Sequence, residues 1–196
     1  LKVAFAIPTD TPVPTRTPRP TSTPRPTSTR VPATRAPSPP PTVAAPAATP
    51  IPTLAPIYWD ARLGTGPQAL PRLESVRIIP ATVARGQKFW RAVRVKFEDV
   101  SESGNDHTIY VKVLDETGKR VSGKKARLTS DGGLLEYPEE KSEGDLCDCN
   151  FNYPMYGDGY AFEIEDQYPS DKVAGMRMPL NQHVNYRITF QLTTMP

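Results

Sequence analysis

The chain has 196 residues with 24 Pro against 12 Gly, a formal net charge of +3, and no apolar run approaching the 18 residues of a membrane-spanning helix. Residues 1–56 hold 16 Pro, 12 Thr and 3 Ser, whereas residues 57–196 hold the other 8 Pro. A segment more than half Pro, Thr and Ser cannot bury enough apolar surface to offset its ordering entropy, so a packed core is excluded there and one domain of ordinary size is expected after it. The Leu at position 1 is expected of a processed chain, and Val3–Ile7 is too short for a signal-peptide core.

Residues 2–7 read as a short strand, with Val3, Phe5 and Ile7 on one face and Lys2, Ala4 and Ala6 on the other. Left in water, it would expose three large apolar side chains, so it is expected to dock on a sheet edge of its own or of a neighbouring domain. In this alternation it resembles the donor strands of pilus subunits. That resemblance implies head-to-tail assembly of the chain with itself through Val3, Phe5 and Ile7.

Residues 8–56 read as a stalk. The hexad Thr-Pro-Arg-Pro-Thr-Ser occurs at 17–22 and again at 23–28. Proline fixes φ and pushes the preceding residue to extended values, so a polyproline-II-like arm is expected, about 3.1 Å per residue. Thr and Ser dense beside Pro is the composition of O-glycosylated stalks, with Thr15, Thr17, Thr21, Thr23, Thr27 and Thr29 as candidate acceptors of covalent O-glycans. Residues 1–56 carry Lys2 and five Arg against Asp10, a net of +5, and residues 57–196 a net of −2. The arginines lack interleaved aromatics for base stacking, so no nucleic-acid partner is expected.

Residues 57–196 alternate with period two. Strands are expected at 73–79, at 89–97 (Phe89, Val93, Val95 and Phe97 on one face, Trp90, Arg94, Lys96 and Glu98 on the other) and at 107–113. A hairpin turn at 115–118 leads to a returning strand at 119–121 and 126–129, followed by strands at 134–137, 160–165 and 184–192. No segment has helical periodicity. About seven strands predict an all-β fold: a single antiparallel two-sheet sandwich after an extended arm. In strand number and spacing it resembles immunoglobulin and fibronectin type III domains, without the Cys…Trp…Cys signature.

Candidate chemistry is sparse. Cys147 and Cys149 are a candidate disulfide, with an internal bridge, pairing to another chain and free thiols all open. The acidic loop at 139–150 lacks the ligand ladder of a calcium site, and no metal is expected. His107 and His183, the chain's two histidines, each start a strand and read as edge residues. Glu163 and Glu165 share a strand face, as on any solvated strand. Phe151, Tyr153, Tyr156 and Tyr160 cluster, and Trp90 with Tyr153, Tyr156 and Tyr160 is a candidate platform for a cell-surface glycan or a protein.

No catalytic set emerges. The expectation is a non-enzymatic structural subunit, extracellular or at the cell surface, that self-assembles into a filament. The alternative is a stalk-displayed carbohydrate-binding or adhesion module. Deleting residues 1–7 is expected to leave the sandwich folded and abolish polymer, with filaments counted by electron microscopy. Polymer that persists after the deletion rejects the donor-strand mechanism.

Overall fold

The computed structural model describes residues 53–142, 144 and 147–196. Val3, Phe5, Ile7, the stalk to residue 52 with its six candidate threonines, and Glu143 and Asp145 of the acidic loop lie outside the described residues.

The described residues form an all-β fold of two five-stranded sheets. The strands are β1 (Tyr58–Trp59), β2 (Arg77–Ile79), β3 (Lys88–Glu98), β4 (Thr108–Leu114), β5 (Lys125–Thr129), β6 (Leu135–Glu136), β7 (Phe151–Pro154), β8 (Tyr160–Glu165), β9 (Lys172–Met176) and β10 (Asn185–Thr194). Sheet I runs β1-β3-β10-β4-β7 and sheet II runs β2-β9-β8-β5-β6. The sheets are not purely antiparallel as the sequence suggests: β1 pairs parallel with β3, and β10 pairs parallel with β4. The core includes Val95, Phe97, Val111, Tyr186 and Phe190 from sheet I and Leu128, Phe162, Ile164, Val173 and Met176 from sheet II.

The ten strands include three that the alternation does not reveal. β1 is two residues long and exists only through its pairing to Arg94 and Val95. β7 is a four-residue edge strand ending at Pro154, a position where the missing N–H costs least. β9 is disguised by a bulge: between Val173 and Met176, Ala174 and Gly175 oppose the single residue Ala161 of β8. Gly175 has φ +80°, so its alternation breaks in the sequence. The hairpin at 115–118 is present, but the returning segment splits between the sheets. Leu114 bridges Arg120 beside β4, and the chain then crosses to sheet II as β5.

A second bulge decides the faces of β3. Thr189 of β10 pairs with Arg94 and Phe190 with Ala92, leaving Val93 as the extra residue. The alternation therefore changes phase within one strand. Trp90 and Ala92 point into the core before the bulge, and Val95 and Phe97 after it. The sequence pattern, read without a bulge, puts Trp90 on the opposite face from Val95 and Phe97.

On the side away from β10, β1 covers β3 at Arg94 and Val95, and chain segments and carboxylates close more of that edge. Trp90 N–H donates to Pro169 O at 2.8 Å and Asp171 N–H donates to Trp90 O at 2.8 Å. The Asp171 carboxylate accepts from Ala92 N at 3.0 Å and Ala81 N at 2.8 Å. Asp60 N–H donates to Val95 O at 3.0 Å, and its carboxylate accepts from Phe97 N at 3.2 Å.

Gly175→Ala tests the β9 bulge. Its Cβ would run into the Ser75 carbonyl, and the left-handed φ alone costs about 1–2 kcal/mol. Chemical unfolding is expected to show a loss larger than that strain, with Gly66→Ala, where the space is open, as the near-neutral control.

Candidate functional site

The outward face of sheet I carries a group of convergent charges. Its composition follows from register. Across the sheet, Tyr58 of β1 pairs with Arg94 of β3, Arg94 with Thr189 of β10, and Thr189 with Lys112 of β4. One pleat further, Lys96 pairs with Arg187 and Arg187 with Tyr110. Two adjacent rows therefore present Arg94, Lys96, Lys112 and Arg187 together with two tyrosines. Each arginine stacks on its cross-strand tyrosine: the Arg94 guanidinium lies 4.7 Å from the Tyr58 ring centre and that of Arg187 lies 4.4 Å from Tyr110.

A groove of about 770 Å³ runs over this face, lined by Arg94, Tyr110, Lys112, Arg120 and Arg187, with Asp148 as the one acidic side chain among the described residues of its wall. Arg120 is held by its Nη2, which donates to Lys141 O at 2.7 Å. The wall is the Cys147–Cys149 turn, where the two cysteines form an internal disulfide. Cys149 N–H donates to Cys147 O at 2.8 Å, a tight turn that brings the Cα atoms to 5.1 Å, inside the usual range for a bridge. Between the bridged cysteines, Asp148 pairs with Lys112.

The floor is held by one buried acid. Glu98 Oε1 accepts from Arg187 Nε at 2.7 Å and Lys96 Nζ at 3.1 Å, and Asn185 Nδ2 donates to Oε2 at 3.3 Å. Burial works to raise the Glu98 pKa, but the bonds from Arg187, Lys96 and Asn185 outweigh it and hold the carboxyl below its ordinary value. Asp60 behaves the same way: burial opposes ionisation, and hydrogen bonds from Arg62 and the Phe97 amide lower it. Asp171 goes the other way, raised by burial despite its two backbone donors.

The aromatic platform expected from the sequence does not form. Trp90 is 1% exposed and Tyr160 4%, both inside the core cluster. The Val93 bulge turns Trp90 inward, and Tyr160 follows the inward alternation of β8. Its hydroxyl accepts from Tyr156 N at 2.9 Å. Tyr153 is half-buried beside Tyr160, and burial together with the Glu136 carboxylate pushes its hydroxyl up to about 12. Tyr156 alone of the four is widely exposed, at 77%. Elsewhere, Glu163 is engaged by Arg127 and Lys172, and Glu140 holds the Gly123 amide and the Asn150 side chain. Among the described residues, no three His, Cys, Asp or Glu side chains converge as metal ligands, and no helix is long and apolar enough to cross a membrane.

The cationic rows could not be found by searching for motifs. Arg94, Lys112 and Arg187 are far apart in sequence, and each looks like an ordinary outward residue of its strand. Compared with known proteins, the chain matches no family model, no curated protein and no solved structure.

The lowered pKa values set an acid limit on stability. Their contribution is fully present above the unfolded carboxylate values of about 4 and is lost as pH falls through the lower folded values of Asp60 and Glu98. Asp171 has the opposite sign, since protonation relieves its burial. Urea midpoints are expected to stay level from neutral pH to about 5 and fall below about 4. In Glu98→Gln the acid-side decline is expected to be shallower from a lower neutral-pH plateau.

Proposed function

We propose that the chain is a non-enzymatic module, extracellular or at the cell surface, that binds an anionic polysaccharide along the outward face of sheet I. The observation that carries this reading is the pair of cross-strand rows in which Arg94 and Arg187 are stacked on Tyr58 and Tyr110. A guanidinium offers a planar fork of donors that fits carboxylates and sulfates in pairs. Stacking restrains its long side chain before a ligand arrives, which lowers the entropy lost on binding. Lys112 and Arg120 add charge along the same groove, so a linear polymer with repeating anions meets several cations at once. Asp148, paired with Lys112, occupies the place such an anion would take.

The Pro/Thr-rich arm supports display at a distance from a surface, with O-glycans on the six threonines as part of the same proposal. An immunoglobulin-like ancestry for the sandwich belongs here too, supported by its two packed sheets. Head-to-tail assembly through Val3, Phe5 and Ile7 is a second proposal, carried by the alternation of residues 2–7.

Affinity electrophoresis in polygalacturonate and in neutral dextran tests the binding reading. Retardation is expected in the polyuronate alone and is expected to weaken as salt rises. Arg94→Ala combined with Lys112→Ala is expected to weaken binding about tenfold, roughly the sum of two partly exposed charge contacts. Asp148→Asn is expected to strengthen it by freeing Lys112. Equal retardation in both polymers, or none in either, rejects the proposal.

A further inference from the structure

The chain's two histidines, 76 positions apart, meet at one end of sheet I. His107 immediately precedes β4 and His183 lies two residues before β10, and the parallel pairing of these central strands brings their starts side by side. The two imidazole centres are 4.8 Å apart with planes inclined at 43°, so the rings are not stacked face to face.

The short loop before β4 holds the His183 ring and the His107 backbone. His183 Nδ1 lies 2.8 Å from the carbonyl oxygen of Asn105. A carbonyl only accepts, so Nδ1 carries the proton and Nε2 is left as the basic nitrogen. Asn105 has φ +69°, and this left-handed turn belongs to the loop whose Ser103 hydroxyl donates to His183 O at 3.0 Å. On the other side, His107 N–H donates to Asp106 Oδ1 at 3.0 Å and Met155 N–H donates to His107 O at 2.7 Å. His107 Nδ1 is buried and has no hydrogen-bond partner among the described residues. A buried polar atom left in that state costs free energy unless something else satisfies it.

We propose that His107 and His183 form a two-imidazole site for a divalent transition-metal ion, with His107 Nδ1 and His183 Nε2 as its protein ligands and water completing the coordination. The spacing suits it. With metal–nitrogen bonds of about 2.0–2.1 Å and ring nitrogens about 1.1 Å from the ring centre, two imidazoles on one ion have centres roughly 4.5–5.2 Å apart for angles between square and tetrahedral. The bond from His183 Nδ1 to a backbone carbonyl is the outer contact that fixes the tautomer and aim of metal-ligating histidines. Nitrogen donors select copper, nickel and zinc over calcium and magnesium, and copper is bound most tightly. The exposed Tyr156 ring packs edge-on against His107 at 5.2 Å and shields one side of the pair. This site lies apart from the cationic groove, whose lining includes neither histidine.

The test is isothermal titration of the full-length chain without an affinity tag, using Cu²⁺, Zn²⁺ and Ca²⁺. His107→Gln/His183→Gln is the background for the terminal amine and carboxylates. One Cu²⁺ per chain is expected above that background, with Zn²⁺ weaker and Ca²⁺ absent. Each single variant is expected to lose at least about thirtyfold in affinity, and circular dichroism monitors its fold. On the wild type, Zn²⁺ is expected to shift the ¹⁵N signals of both imidazoles in step, a readout that does not depend on the variants folding. Binding equal to the double variant, a single variant that binds as the wild type does, or only one imidazole responding overturns the proposal.

Discussion

The extra residue at Val93 is the constraint on which the rest of the sandwich depends. β3 is eleven residues long, yet no unbroken alternation puts its apolar residues on one face. Inserting one residue against β10 lets Trp90 and Ala92 face the core together with Val95 and Phe97. Beyond the bulge the ordinary alternation keeps Arg94 and Lys96 outward, in register with Thr189 and Arg187 of β10.

On the edge of β3 that faces away from β10, acidic side chains take two backbone amides. Asp171 receives the Ala92 amide just before the bulge, and Asp60 receives the Phe97 amide beyond it. Burying these carboxylates opposes their ionisation, and the two environments balance that cost differently. Asp60 has the Arg62 guanidinium beside it and is lowered, while Asp171 relies chiefly on backbone amides and is raised. The segment at 169–171 also passes from the edge of β3 into β9, so it ties the two sheets together while it closes the edge.

Parallel pairing of β4 with β10 has consequences at both ends of the outward face. Because both strands run the same way, their N-terminal ends coincide, which places His107 beside His183 and Asn185 Oδ1 on the Thr108 amide. Along the strands, the same pairing sets Tyr110 under Arg187 and Lys112 beside Thr189. An antiparallel pairing would have moved the two histidines to opposite ends of the sheet.

Much of the fold was legible in the sequence because burial on one face imposes period two. The inward sets Ile109/Val111/Val113, Phe162/Ile164 and Val184/Tyr186/Ile188/Phe190 stand as the alternation predicts. The all-β class, the break in composition near residue 56 and the hairpin at 115–118 are legible for equally local reasons: side-chain period, proline chemistry and turn residues. Trp90, β9 and the partnership of the two histidines were not. A bulge shifts phase at a place fixed only by the neighbouring strand, and a left-handed glycine hides a strand whose partner supplies its register. Which strands run parallel depends on how the chain crosses between sheets. The sequence by itself determined the all-β class, most of the inward-facing residues and what material joins them. Only the tertiary structure decided which outward side chains become neighbours, because that depends on pairings between segments dozens of residues apart.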